Sequence, residues 1–234
     1  KEDVLQCLDL LHAGGIDNIS IDLIYGLPGQ TLEMWKQDLQ EIVETFSITH
    51  ISLYALTIEE HSQFGREGVE NIDSDVEADM YAYAIEILER YGFYQYEISN
   101  FSKIGFESKH NQMYWKYEDF YGIGCGASGK ENHARYDNTR NLHTYITKGS
   151  SASITELNKE DEMFEMIMMS LRMKKGLNLS AFYERFHVDL ELHYQKALQK
   201  NMEKGMLVIE DHHLRVTRQG MLLLHDVLVD FLPE

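Results

Sequence analysis

Apolar residues recur at Val4, Leu5, Leu8 and Leu11, the spacing of one helical face, until Gly14 and Gly15 end it. "ISIDLIYG" (19–26) then runs short, apolar and β-branched, the pattern of a buried strand. After the turn "LPGQT", with Thr31 in N-cap position, Leu32, Trp35, Leu39, Ile42, Val43 and Phe46 share a second helical face. "HISLYALTI" (50–58) is the next strand, and strand, helix, strand at this spacing predicts a βαβ unit with parallel pairing. A polar stretch leads to Ser74 and Glu77, spaced as a capping box. The helix after them carries Val76, Met80, Tyr83, Ile87 and Tyr91 on one face and stops at Gly92. "YQYEISN" (94–100) reads as one further strand.

The pattern then fades. "SKHNQMYW" (108–115) shows neither helical nor strand periodicity and is expected to be a loop, as is the Gly-rich "DFYGIGCGASGK" (119–130). Polar "GSSAS" (149–153) reads as a linker, so the chain is expected to divide into residues 1–150 and 151–234. Beyond it, helices are expected over 160–173, 179–187 and 190–204. A hairpin within "MLVIEDHHLRVT" and a closing amphipathic helix in "RQGMLLLHDVLVDFL" follow. Helices, a β-wing and a last helix make a winged-helix-like module. The five methionines from Met163 to Met173 sit at helical spacing and read as core filler.

Composition narrows the functions open to this chain. Formal net charge is −18 over 234 residues; residues 1–150 hold 11 Lys and Arg against 25 Asp and Glu, and residues 151–234 hold 10 against 14. Such an acidic surface repels phosphate backbones, so no nucleic-acid partner is expected, although Lys196, Lys200 and Lys204 line one side of the third helix of the module. No stretch approaches the roughly 18 apolar residues of a membrane span. Cys7 and Cys125 lie far apart and form no C-x-x-C pattern, which reads as two reduced thiols in the cytoplasm. The chain opens on Lys1 already within a helical pattern, so it is read as part of a longer protein.

Three places carry candidate chemistry. Strand alternation puts Ser20, Asp22, Ile24 and Gly26 on one face, and a carboxylate inside a buried strand needs either an ion-pair partner or a ligand such as ribose hydroxyls or an amine. Gly122, Gly124, Gly126 and Gly129 remove side chains from a short run, which admits a flat ligand or the close approach of another backbone. "GCGASG" has the letters of a dinucleotide fingerprint but lacks the apolar helix that should follow. His110 with Asn111, Tyr114 and Trp115 reads in two ways. The aromatics cover a core while the polar pair satisfies backbone groups, or His110 ligates the iron of a planar macrocycle, Asn111 orients the imidazole, and Tyr114 and Trp115 stack on the ring.

"DLIYGLPGQT" (22–31), "ISLYALTIEE" (51–60), "YEISNFSKIGFESKHNQMYW" (96–115) and "DFYGIGCGASGK" (119–130), in this order, resemble one family. It is the radical S-adenosylmethionine group that contains oxygen-independent coproporphyrinogen III oxidase and the related heme chaperones, and "HNQMYW" is similar to the H-N-x-x-Y-W signature of the chaperones. The resemblance implies an α/β fold, the C-terminal half of a partial (β/α) radical-SAM barrel, plus the helical, winged-helix-like C-terminal domain. It implies that Asp22 contacts the ribose of S-adenosylmethionine, with Gly26, Thr57 and Ser128 near the same ligand. It implies that His110, Asn111, Tyr114 and Trp115 hold heme, with His110 on the iron. The C-x-x-x-C-x-x-C motif that would hold a 4Fe–4S cluster is absent from these 234 residues, so the cluster is expected only in the full-length protein and this stretch is expected to be inactive by itself. The expected function is heme transfer to acceptor proteins, with membrane contact through those acceptors and a homodimer allowed. The alternative is radical-SAM decarboxylation of coproporphyrinogen III.

Overall fold

The computed structural model describes residues 2–149 and 152–233. By backbone proximity the chain divides into Lys1–Glu107 and Ser108–Glu234. "HNQMYW" and the Gly-rich stretch, expected in the first domain, therefore fall in the second unit. Part of the expected linker, residues 150 and 151, lies outside the described residues.

In the first unit the periodic segments fold as read: α1 (Glu2–Ala13), β1 (Ser20–Tyr25), α2 (Leu32–Thr45) and β2 (His50–Ala55). Thr31 caps α2, its Oγ1 accepting from Met34 N at 3.2 Å. A short α3 (Gln63–Arg66) interrupts the polar stretch before α4 (Ser74–Arg90). The α4 cap differs from the expected capping box. Asp73 accepts from the N–H groups of Asp75 and Val76, and Ser74 is already helical. One residue earlier, a carboxylate satisfies two orphan donors and adds charge where the helix dipole favours it.

The segment expected as one strand is two, β3 (Tyr94–Gln95) and β4 (Asn100–Ser102). The chain reverses between them because Tyr81 Oη (2.6 Å) and Gln95 Nε2 (3.0 Å) both donate to the Ile98 carbonyl. The sheet order is β1-β2-β4-β3; β1 and β2 pair in parallel, while β4 runs antiparallel to β2 and β3. One face carries Ile51, Leu53 and Phe101 and packs in a core with Trp35 and Leu39 of α2 and Met80, Ala84 and Leu88 of α4. Trp35 Nε1 donates to the Met80 carbonyl at 2.9 Å, tying the two helices together.

The second unit opens with a correction. Residues expected as a loop form α5 (Lys109–Trp115), started by Ser108, whose Oγ accepts from Asn111 N at 3.2 Å. A seven-residue helix is too short to show an apolar period or to stand alone, so packing decides it. A three-stranded antiparallel meander, β5 (Ser128–Glu131), β6 (Ala134–Asp137) and β7 (Ser153–Glu156), was not legible, because "SGKE", "ARYD" and "SITE" hardly alternate in polarity and β7 is exposed throughout. Helix α6 (Leu142–Lys148) lies between β6 and β7 in sequence.

The remainder follows the expected module: α7 (Lys159–Ser170), β8 (Leu177–Asn178), α8 (Leu179–Phe186), α9 (Leu190–His193), α10 (Gln195–Glu203), the β9 (Leu207–Glu210) and β10 (His213–Val216) hairpin, α11 (Arg218–Leu222) and α12 (Leu224–Val229). The third and last helices are each broken once, at Tyr194 and Leu223. Asp211 and His212 turn the wing with positive φ, 49° and 59°, as a two-residue hairpin requires. Met163, Met166, Ile167, Phe182, Leu198, Leu214 and Phe231 are buried, so methionine does serve as core filler. Lys200 pairs with Asp230 at 2.6 Å, which removes one cation from the lysine stripe. Among the described residues no helix is long and apolar enough to cross a membrane.

Candidate functional site

Alternation in β1 is as read, but its consequence is not: the strand is half open, and Asp22 is exposed where burial was expected. The reason lies in position, since β1 is an edge strand and its even-numbered side chains face away from α2 and α4. Asp22 therefore needs no internal ion pair. At its edge it borders a cleft of about 350 Å³ between β1 and α2, lined also by Ile21, Leu23, Gln30, Trp35, Asp38 and Ile42.

Register builds a polar face around it. Ser20 stands opposite His50, Asp22 opposite Ser52, and Ser52 opposite Asn100. His50 is buried and shares hydrogen bonds with Ser20 Oγ through Nδ1 and with Tyr96 Oη through Nε2, both 2.8 Å. Burial lowers the His50 pKa, and the Asp22 charge opposes that shift. Asn100 donates to Glu97, while its Oδ1 is buried without a partner. Sequence reasoning missed His50, Tyr96 and Asn100. Applying to "HISLYALTI" the alternation used for β1 would have put His50 and Ser52 on one face.

Beyond β1, Gly26 is buried at φ +76°, where a side chain would be strained, and its N–H donates to Gln30 Oε1 at 2.9 Å. Thr57 is exposed, two residues past the end of β2.

In the second unit, α5 sorts the four motif residues by helical angle. His110 and Tyr114, one turn apart, meet edge to face at 4.9 Å, with Tyr114 Oη 3.2 Å from His110 Nε2. His110 is exposed and Tyr114 packs on Phe120, ring centroids 4.6 Å apart. The imidazole is thus held by Tyr114, the role expected of Asn111. Trp115 turns elsewhere: it is half-buried, Arg172 lies 5.4 Å over its ring, and its carbonyl accepts from Ser170 Oγ at 3.3 Å. The expected stacking of Tyr114 and Trp115 on a common ring is not built into α5, since adjacent residues diverge by about 100°.

Just past α5, Tyr117 (φ 60°) is buried between Lys130 and Arg185, 4.3 and 4.9 Å from its ring centre. Buried Glu162 and Glu165 of α7 complete this clasp, pairing with Arg185 and Arg135 at 3.4 and 3.2 Å. The Gly-rich stretch resolves toward close packing. A Cβ on Gly122 would stand 2.2 Å from the Ser128 carbonyl, and one on Gly129 would stand 2.2 Å from the Tyr136 ring. Asn138 Nδ2 donates to Gly122 and Gly124 carbonyls at 3.0 Å, and Ser128 Oγ donates to Asp137. Among the described residues no cluster of three or more His, Cys, Asp or Glu is placed to hold a metal ion.

The comparisons with known proteins bear on this arrangement. The family model of the HemN C-terminal domain matches residues 157–223. A solved structure of coproporphyrinogen III oxidase (HemN) from Escherichia coli, a radical SAM enzyme, matches with a TM-score of 0.81 at 18% identity, covering 98% of this chain and 58% of that one. The fold is therefore the expected one, the C-terminal part of a radical-SAM barrel with its helical domain. The chain is 37% identical to the heme chaperone HemW of Lactococcus lactis over 99% of its own length and 62% of the relative's. HemW of Bacillus subtilis is 32% identical, over 100% and 64%. The chain thus spans under two thirds of the curated relatives it matches. The chain is similar to the HemW and HemN group of radical SAM proteins.

Proposed function

We propose that this chain is the C-terminal part of a heme chaperone, in which α5 holds heme with His110 as an iron ligand and hands it to acceptor proteins in the cytoplasm. The observation that carries the reading is the exposed imidazole of His110, braced by Tyr114 on a capped helix. A heme ligand must reach a large flat group from the surface, and a fixed ring loses less freedom on binding. The names of the relatives support the same reading.

In the first unit, Asp22 and Gly26 fit a nucleoside. An exposed carboxylate accepts from paired ribose hydroxyls, and Gly26, its N–H held by Gln30 Oε1, ends the strand without a side chain of its own. We assign S-adenosylmethionine to these residues and to Thr57. Ser128 lies in the second unit, where its hydroxyl is engaged by Asp137, and it is left out of this assignment. The 4Fe–4S cluster belongs to the full-length protein, where it would bind the amino-acid end of that ligand.

Titration with hemin, followed by absorbance, tests the reading. The protein should bind, and His110→Ala should weaken binding about tenfold or more and alter the Soret band. Unchanged affinity and spectrum in the variant would remove His110 from the iron. Conversion of coproporphyrinogen with consumption of S-adenosylmethionine would transfer the protein to the oxidases.

A further inference from the structure

We propose that Trp115 and Arg172 form a carboxylate-binding subsite that takes a propionate of the porphyrin, a reading that rests on the heme assignment above. The indole Nε1–H and the Arg172 Nε–H are both buried, and neither has a hydrogen-bond acceptor among the described residues. Two buried donors without acceptors are costly, and they lie together, with the guanidinium 5.4 Å over the indole ring. Neither is placed at random. Trp115 closes α5 and is tied through its carbonyl to Ser170, the last residue of α7, two residues before Arg172.

The chemistry of the pair defines its ligand. Indole and guanidinium only donate, so the partner must be an acceptor, and the fixed positive charge selects an anion. A planar carboxylate offers two oxygens to two N–H groups. Arg172 stands apart from its neighbours in this respect. Arg135 and Arg185 each pair with a buried glutamate of α7, whereas Arg172 has no carboxylate partner among the described residues of a chain with 39 Asp and Glu.

Porphyrin side arms supply that group. Trp115 lies five residues beyond His110, about 7.5 Å along the helix and about 140° around it, so a propionate arm must extend from a ring held at His110 to that second face. The two residues occupy different stripes of α5, so they are separate subsites: one for iron, one for carboxylate. Trp115 serves here as donor and cation platform in place of the stacking role expected from the motif.

The test is a pair of absorbance titrations of the intact protein, with hemin and with hemin dimethyl ester, which keeps the iron and ring but lacks both carboxylates. The protein should prefer hemin by about tenfold. Arg172→Gln and Trp115→Phe, the latter keeping a ring without its N–H, should each weaken hemin alone and abolish that preference. His110→Ala should weaken both porphyrins alike. Equal affinity of the unaltered protein for the two porphyrins, or equal weakening of both in Arg172→Gln with an unchanged melting temperature, overturns the subsite and leaves the heme reading standing. Binding of neither porphyrin by the unaltered protein overturns both.

Discussion

Tyr117 donates its hydroxyl to Glu165 Oε2 at 2.7 Å across 48 residues of sequence, joining the segment just past α5 to the middle of α7. Its ring lies between Lys130 and Arg185, so hydroxyl and ring are separable contributions. Tyr117→Phe keeps the ring and leaves one oxygen of a buried carboxylate unpaired, at a cost of roughly 1–3 kcal/mol. Tyr117→Ala should cost roughly 3–5 kcal/mol because it also opens a cavity. Urea midpoints of the two variants check the order.

His50 should make stability depend on pH. Burial holds its pKa below the ordinary 6.5, so between the two values the unfolded chain binds the proton and the folded one does not. Stability is therefore complete above about 6.5 and falls as pH drops below it. Ser20 and Tyr96 bond the ring, and Asp22 is the charge that acts on it. His50→Gln should flatten the slope of the urea midpoint between pH 7 and pH 5, and the ring's titration by NMR should have its midpoint below 6.5.

Trp35 locks α2 to α4 through a buried ring and its bond to the Met80 carbonyl. Trp35→Ala should destabilise the first unit by roughly 3–5 kcal/mol, read as a lowered urea midpoint. A loss under about 1 kcal/mol would mean that the ring is not packed as described.

Gly129→Ala should fail for a steric reason. Its Cβ would meet the Tyr136 ring at 2.2 Å, displacing a tyrosine whose Oη accepts from Gly122 N at 2.9 Å. The cost is about 1–3 kcal/mol or more, whereas Ser128→Ala, which deletes an exposed hydrogen bond, should cost under about 1 kcal/mol. Thermal melts of the two neighbours distinguish packing from surface chemistry.

Asp22→Ala should leave stability nearly unchanged, since the carboxylate is exposed. It should weaken S-adenosylmethionine binding in the full-length protein about tenfold, measured calorimetrically. Unaltered binding would move the nucleoside away from β1.

What could be read from the sequence alone was whatever is encoded within a turn or two of itself. The helical faces of α1, α2 and α4, the alternation of β1, the Thr31 cap and the wing turn at Asp211 and His212 all depend on neighbours a few residues away. Motif order likewise carried the resemblance, because His110, Asn111, Tyr114 and Trp115 are legible as letters wherever they lie. Tertiary structure decided what those letters face. Ser108 and packing on α7 made α5 a helix, and its pitch parted His110 from Trp115. Strand order left Asp22 open at an edge, and register brought Ser20 to His50 from 30 residues away. Side-chain periodicity is local, whereas pairing across a sheet and contact between helices join segments far apart in the chain. No short window of sequence contains both partners.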